Sequence, residues 1–199
     1  GGVNVLVDYK VFTNREYDAS HNIQNQMVLT YSDASSATPL DVQEIRSSGY
    51  TPQGVAALQV IVTYANYNSV NKIGTDQIGV KVIESSDLNA QGYVGTRVIT
   101  NYSSVTFEGN DPTKNITGYS GALDRQTLAT DSFDNRGNAL RQTVLSEGYV
   151  EGAWSFSGMK DITNSLIDIH DQTGHAEVKS YKARTVSEEN FIGVDSINY

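Results

Sequence analysis

One short pattern constrains what this 199-residue chain can fold into more than any other feature. Tyr17-Asp18-Ala19-Ser20-His21-Asn22 is echoed at Tyr50-Thr51-Pro52-Gln53-Gly54, Leu88-Asn89-Ala90-Gln91-Gly92, Phe133-Asp134-Asn135-Arg136-Gly137-Asn138 and His170-Asp171-Gln172-Thr173-Gly174. The closing positions, His21, Gly54, Gly92, Gly137 and Gly174, follow one another at 33, 38, 45 and 37 residues. Five residues beyond each stands a long polar side chain: Gln26, Gln59, Arg97, Gln142 and Lys179. Two further on comes a β-former: Val28, Ile61, Ile99, Val144 and Tyr181. Three repeats add a tyrosine three residues later, at Tyr31, Tyr64 and Tyr102.

The pattern has a physical meaning. Asp18, Thr51, Asn89, Asp134 and Asp171 open each turn, and such side chains accept hydrogen bonds from the turn's own backbone. Pro52 sits second, where its fixed φ suits a type I turn. Gly54, Gly92, Gly137 and Gly174 close the turns, supplying a positive φ and a bulged hairpin. His21 stands in for glycine, and histidine tolerates that region better than most residues. The five turns are therefore expected near 18–21, 51–54, 89–92, 134–137 and 171–174.

The flanks read as strands. Val3, Val5, Val7, Tyr9 and Val11 alternate with Asn4, Asp8 and Lys10. Return strands are expected over Ile23 to Tyr31, Val55 to Tyr64 and Tyr93 to Tyr102, all rich in Val, Ile, Thr and Tyr. Ala153 to Ser157 reads as a further strand, and residues 109–115 as a loop. The short helix candidates at Asp41 to Ser47 and Asp161 to Ile169 fit strands as well. The fold class expected is all-β: ten to twelve antiparallel strands in tandem hairpins, forming one repeat domain over residues 1–199. An elongated sheet, a sandwich and a solenoid all satisfy the pattern.

Composition narrows the function. Net charge is −9, from 14 basic and 23 acidic residues, which argues against non-specific nucleic-acid binding. Apolar runs such as Val5-Leu6-Val7 and Val60-Ile61-Val62 are far short of the roughly 20 residues a spanning helix needs, so no membrane insertion is expected. The absence of cysteine excludes disulfides, thiol catalysis and thiolate metal sites. The opening Gly1-Gly2 leads to the expectation of a processed or excised segment.

Two of the turns, Tyr17-Asp18-x-x-His21-Asn22-Ile23 and Phe133-Asp134-x-x-Gly137-Asn138-Ala139, resemble the Tyr-Asp (YD, or Rhs-type) repeats of very large bacterial surface and secreted proteins. The resemblance implies an extracellular, repeat-built bacterial β-protein. It implies no catalytic residue, because those repeats are not themselves catalytic.

Candidate sites are few. His170, Asp171 and His175 crowd one turn and could contribute to a metal site, but a third firm ligand is missing and turn chemistry explains them. No cofactor is expected. Glu147, Glu151, Glu188 and Glu189 are carboxylates of the kind glycoside hydrolysis pairs in space, and no nucleophile elbow or phosphate loop accompanies them. Trp154 and the tyrosines could stack on sugars, although a tyrosine recurring at one repeat position reads first as packing. Three functions compete: a structural protein, an adhesin or glycan-binding module, and an enzyme on a β-scaffold. The first is preferred. Val3, Val5 and Val7 at one end and Ile192, Val194 and Ile197 at the other are expected to form contacts between copies of the chain, head to tail, since strand-like termini leave pairing edges open.

Overall fold

The computed structural model describes residues 8–198. Eleven strands run in chain order: β1 (Tyr9–Tyr17), β2 (Ile23–Tyr31), β3 (Asp41–Tyr50), β4 (Ala56–Asn68), β5 (Ile73–Leu88), β6 (Val94–Phe107), β7 (Ile116–Phe133), β8 (Ala139–Val150), β9 (Ala153–Ile167), β10 (Thr173–Tyr181) and β11 (Phe191–Asn198). They form one open antiparallel sheet whose spatial order is their sequence order. Among the described residues two single-turn 3-10 segments interrupt it, at Glu108–Asn110 and Glu188–Asn190. Both short helix candidates lie in strands, β3 and β9. Val3, Val5 and Val7 lie outside the described residues.

Four of the five expected turns form where the repeat puts them. Each is closed by a backbone pair: His21 N–H donates to Asp18 O, Gly54 to Thr51, Gly92 to Asn89 and Gly137 to Asp134. The opening side chain adds its own bonds. Asp18 Oδ1 accepts from the amides of Ser20 (2.8 Å) and Asn22 (2.9 Å), and Asp134 Oδ1 from Arg136 and Asn138 (both 2.9 Å). Asn89 Oδ1 does the same for Gln91 and Tyr93, both at 3.0 Å.

The fifth turn corrects the reading at Asp171 and Gly174. It runs from Asp168 to Asp171, three residues earlier: Asp171 N–H donates to Asp168 O, and Asp168 Oδ1 accepts from His170 (2.8 Å) and Gln172 (3.0 Å). Asp171 therefore closes the turn rather than opening it, at φ 62°, a region aspartate tolerates. Gly174 does not occupy the left-handed region; a Cβ there would sit 2.9 Å from Leu166 O. Gly95 is confined the same way, its Cβ position 2.5 Å from Asp87 O. In the corrected register these two glycines are equivalent. Each faces a left-handed residue two positions before its turn, Leu166 at φ 55° and Asp87 at φ 54°. The β8–β9 connection is the two-residue hairpin Glu151-Gly152, both at positive φ (49° and 87°).

Open sheets beyond about ten strands tend to curl or split. The expected single repeat domain packs as two compact units along this sheet. One takes the residues up to Ile83 with Asn101–Ala122, the other Glu84–Thr100 with everything from Leu123 onward. The first has a conventional apolar core. Met27, Leu29, Val42, Val60, Val62, Tyr64, Val80, Val82, Val105 and Phe107 all turn inward, in the two-residue alternation of strands. The recurring tyrosines serve it: Tyr64 is in the core, and Tyr31 and Tyr102 pack against it. In the second unit the buried residues include Met159, Ala176 and Tyr181 together with the charged Glu147 and Asp161.

Candidate functional site

The inward alternation of β3 runs Val42, Glu44, Arg46, so a charge pair enters the core of the first unit. Glu44 is 0% exposed. Arg46 meets it through Nη2 at 2.7 Å and Nε at 2.9 Å. Arg46 also donates to the carbonyls of Pro112 (2.6 Å) and Lys114 and lies 5.0 Å from the centre of the Phe107 ring. Arg46 thus ties β3 to the β6–β7 connection. A bulge at Arg15 in β1 brings that guanidinium within 3.8 Å of Glu44, and Asn25 Nδ2 donates to Glu44 Oε1 at 3.0 Å. Three buried polar atoms, Glu44 Oε2, Tyr64 OH and Asn25 Oδ1, have no aligned hydrogen-bond partner among the described residues. Burial first, and the Glu44 charge second, push the Tyr64 hydroxyl well above its ordinary range.

The second unit repeats the device with other residues. Arg125 of β7 stands directly across from Glu147 of β8 and grips Oε2 through Nη2 (2.5 Å) and Nε (2.9 Å). The Arg125 guanidinium lies 4.5 Å from the centre of the Trp154 ring. Arg184, from the β10–β11 connection, approaches Glu147 Oε1 at 2.8 Å as an ion pair and donates to Trp154 O at 3.2 Å. Arg141 binds Asp161 with two nitrogens, at 3.1 and 2.9 Å. Each of these buried carboxylates is thus held by a guanidinium. The alternation that exposed these strands to sequence reading gave no sign of it, because a charged residue every second position looks like a solvent face.

The four carboxylates singled out by sequence do not converge. Glu147 is buried in its cluster, Glu151 occupies the β8–β9 turn, and Glu188 and Glu189 form the 3-10 turn before β11. His170 sits at the exposed tip of the fifth turn, whereas His175 lies on β10 with Nδ1 2.8 Å from Asn198 Oδ1. Asp171 is engaged by Asn138 Nδ2 (2.8 Å) and Arg136 (3.0 Å). Among the described residues no three of His, Asp or Glu gather as a metal-ligating group.

The other expected contact residues, Ile192, Val194 and Ile197, all lie on β11. That strand pairs with β10 along one side and, among the described residues, has no strand on its other side. Its apolar side chains are open to solvent: Ile192 is 64% exposed, Val194 52% and Ile197 40%. One charge, Asp195, and no proline or lysine stand on it. No helix among the described residues is long and apolar enough to cross a membrane. No protein-family model and no curated protein matches this chain.

Proposed function

We propose that this chain is a non-enzymatic, structural extracellular protein that extends its sheet by pairing with further copies of itself, as the subunit of a self-assembling filament or a stalk segment of a large bacterial surface protein. One observation carries the reading: among the described residues β11 is an edge strand, with both an unpaired backbone side and exposed apolar side chains. Natural β-proteins blunt such edges with lysine, proline, bulges or short strands. β11 has eight residues, one charge and neither blunting residue. The opposite edge, β1, also exposes large apolar side chains, Tyr9, Phe12 and Tyr17. A β11-to-β1 contact is head-to-tail, so it propagates unless its rotation closes a ring.

The test is self-association of the full chain. Sedimentation velocity and negative-stain electron microscopy should show assembly that grows with concentration. Val194→Lys puts a charge on the edge and should leave a folded monomer. A wild-type chain that stays monomeric to millimolar concentration, or a Val194→Lys chain that assembles as well as wild type, overturns the proposal.

A further inference from the structure

The strongest feature left unused is an arginine without a counterion. Arg15, Arg46, Arg125, Arg136, Arg141 and Arg184 each pair with a carboxylate. Arg97 of β6 makes no ion pair or side-chain hydrogen bond among the described residues, in a chain whose net charge is −9. It lines a cavity of about 270 Å³ in the second unit, together with Gln142 of β8. We infer that this cavity binds a small organic monocarboxylate, one carboxylate group on a compact apolar body, with Arg97 as its counterion. The inference is independent of the assembly reading.

It starts from the repeat. Gln26, Gln59, Arg97 and Gln142 stand at one repeat position, five residues beyond a turn that forms as expected. Gln26 Nε2 donates to its cross-strand partner Asn14 (2.6 Å to Oδ1), and Gln59 Nε2 to its partner Ser47 (3.2 Å to Oγ). Gln142 faces Thr130 across its own hairpin and makes no such bond. Arg97, Gln142 and Thr130 instead line the one cavity. Their groups suit a carboxylate: the guanidinium offers a planar fork of donors, and the amide and hydroxyl add further donors.

The rest of the lining selects the body and the charge. Leu128 and the rings of Tyr93 and Phe133, with centroids 5.4 Å apart, form apolar walls. The Tyr93 ring rests on Gly137, where a Cβ would sit 2.6 Å from it. The described residues lining the cavity carry one charge, that of Arg97, so they match one negative charge. A net charge of −9 disfavours anions of higher charge, as do Asp87, Asp131 and Asp134 on the adjoining groove, which shares Tyr93, Thr130 and Phe133. The volume lies below the roughly 300 Å³ at which drug-sized ligand sites begin, so the body is compact.

Saturation-transfer NMR on the full chain tests this, with benzoate and benzamide observed directly and acetate and sulfate read by displacement of benzoate. Benzoate should receive saturation and bind with a millimolar Kd. Benzamide has the ring without the charge, and acetate the charge without the ring. Each should bind about 10-fold more weakly, the loss of one class of contact. Arg97→Gln should weaken benzoate about 10-fold, and Arg97→Lys, which keeps the charge but not the fork, by less. Arg97 is exposed and unpartnered, so Arg97→Gln should leave the melting curve unchanged, and lost binding there is not lost folding. Four results would each overturn the site: no transfer to benzoate, benzamide bound as well as benzoate, displacement by acetate or sulfate at benzoate's own concentration, or an Arg97→Gln chain that binds benzoate as wild type does. Arg97 lies on neither β1 nor β11, so a failure of binding and a failure of assembly are read separately.

Discussion

Removing Arg46 tests whether the first unit is organised around its buried charge. In Arg46→Met the hydrophobic stem is kept and the guanidinium lost. Glu44 then keeps the amide of Asn25 at 3.0 Å and the distant Arg15 at 3.8 Å, in a site with 0% exposure. Breaking a buried ion pair from one side costs about 3–5 kcal/mol, because the remaining charge is left uncompensated. The carbonyls of Pro112 and Lys114 lose their donor too, and the Phe107 contact disappears, which places the loss in the upper part of that range. With a urea dependence of roughly 1–3 kcal/mol per molar, the midpoint should fall by roughly 2 M. The double variant Glu44→Leu/Arg46→Met removes both charges, and Arg15 is free to swing toward solvent. It should recover most of the loss, since apolar replacement of a buried pair is often neutral or better. Urea titrations followed by far-UV circular dichroism read both. A single variant that loses less than about 1 kcal/mol, or a double variant no more stable than the single, refutes the claim that Glu44 is a buried charge depending on Arg46.

The turns make a pH prediction of their own. Hydrogen bonds hold four carboxyls below their ordinary range: Asp18 chiefly through Asn22, Asp134 chiefly through Asn138, Asp111 chiefly through Thr113, and Asp33 chiefly through Ser35, the last down to about 2. A depressed folded pKa means stability present above the unfolded value, about 4, and lost as pH falls through the folded one. Amide exchange at Ser20, Asn22, Arg136 and Asn138 should therefore accelerate on acidification from pH 4 toward 2, relative to the turn opened by Thr51, whose hydroxyl does not titrate; equal behaviour at all three would contradict the account. Gly54→Ala should cost about 1 kcal/mol, from backbone strain alone, because nothing lies within 4 Å of the added methyl at φ +80°. Gly137→Ala should cost clearly more in the same melting assay, since its Cβ would sit 2.6 Å from the Tyr93 ring. Gly174→Ala should destabilise through contact with Leu166 O and not through φ, and a shift no larger than that of Gly54→Ala would argue against the corrected turn.

The sequence by itself determined the strands and four of the five turns, because both are local. Alternation over Ile23 to Tyr31 needs only neighbours two residues apart, and an Asx turn is closed by atoms within four residues of one another. The fifth turn shows the limit of local reading. Asp168-x-x-Asp171 and Asp171-x-x-Gly174 both satisfy the pattern, three residues apart, and glycine biased the choice. The structure decided for the earlier one, whose side-chain bonds also leave Gly174 to make way for Leu166. Tertiary structure alone decided which face of β3 is inside. The alternation of Val42, Glu44 and Arg46 is compatible with either face, and burying it becomes tolerable only when Asn25, Arg15 and the carbonyls of Pro112 and Lys114 arrive from strands and connections far away in sequence. The division into two units is likewise a property of contacts far apart in sequence, which no spacing of residues along one strand encodes.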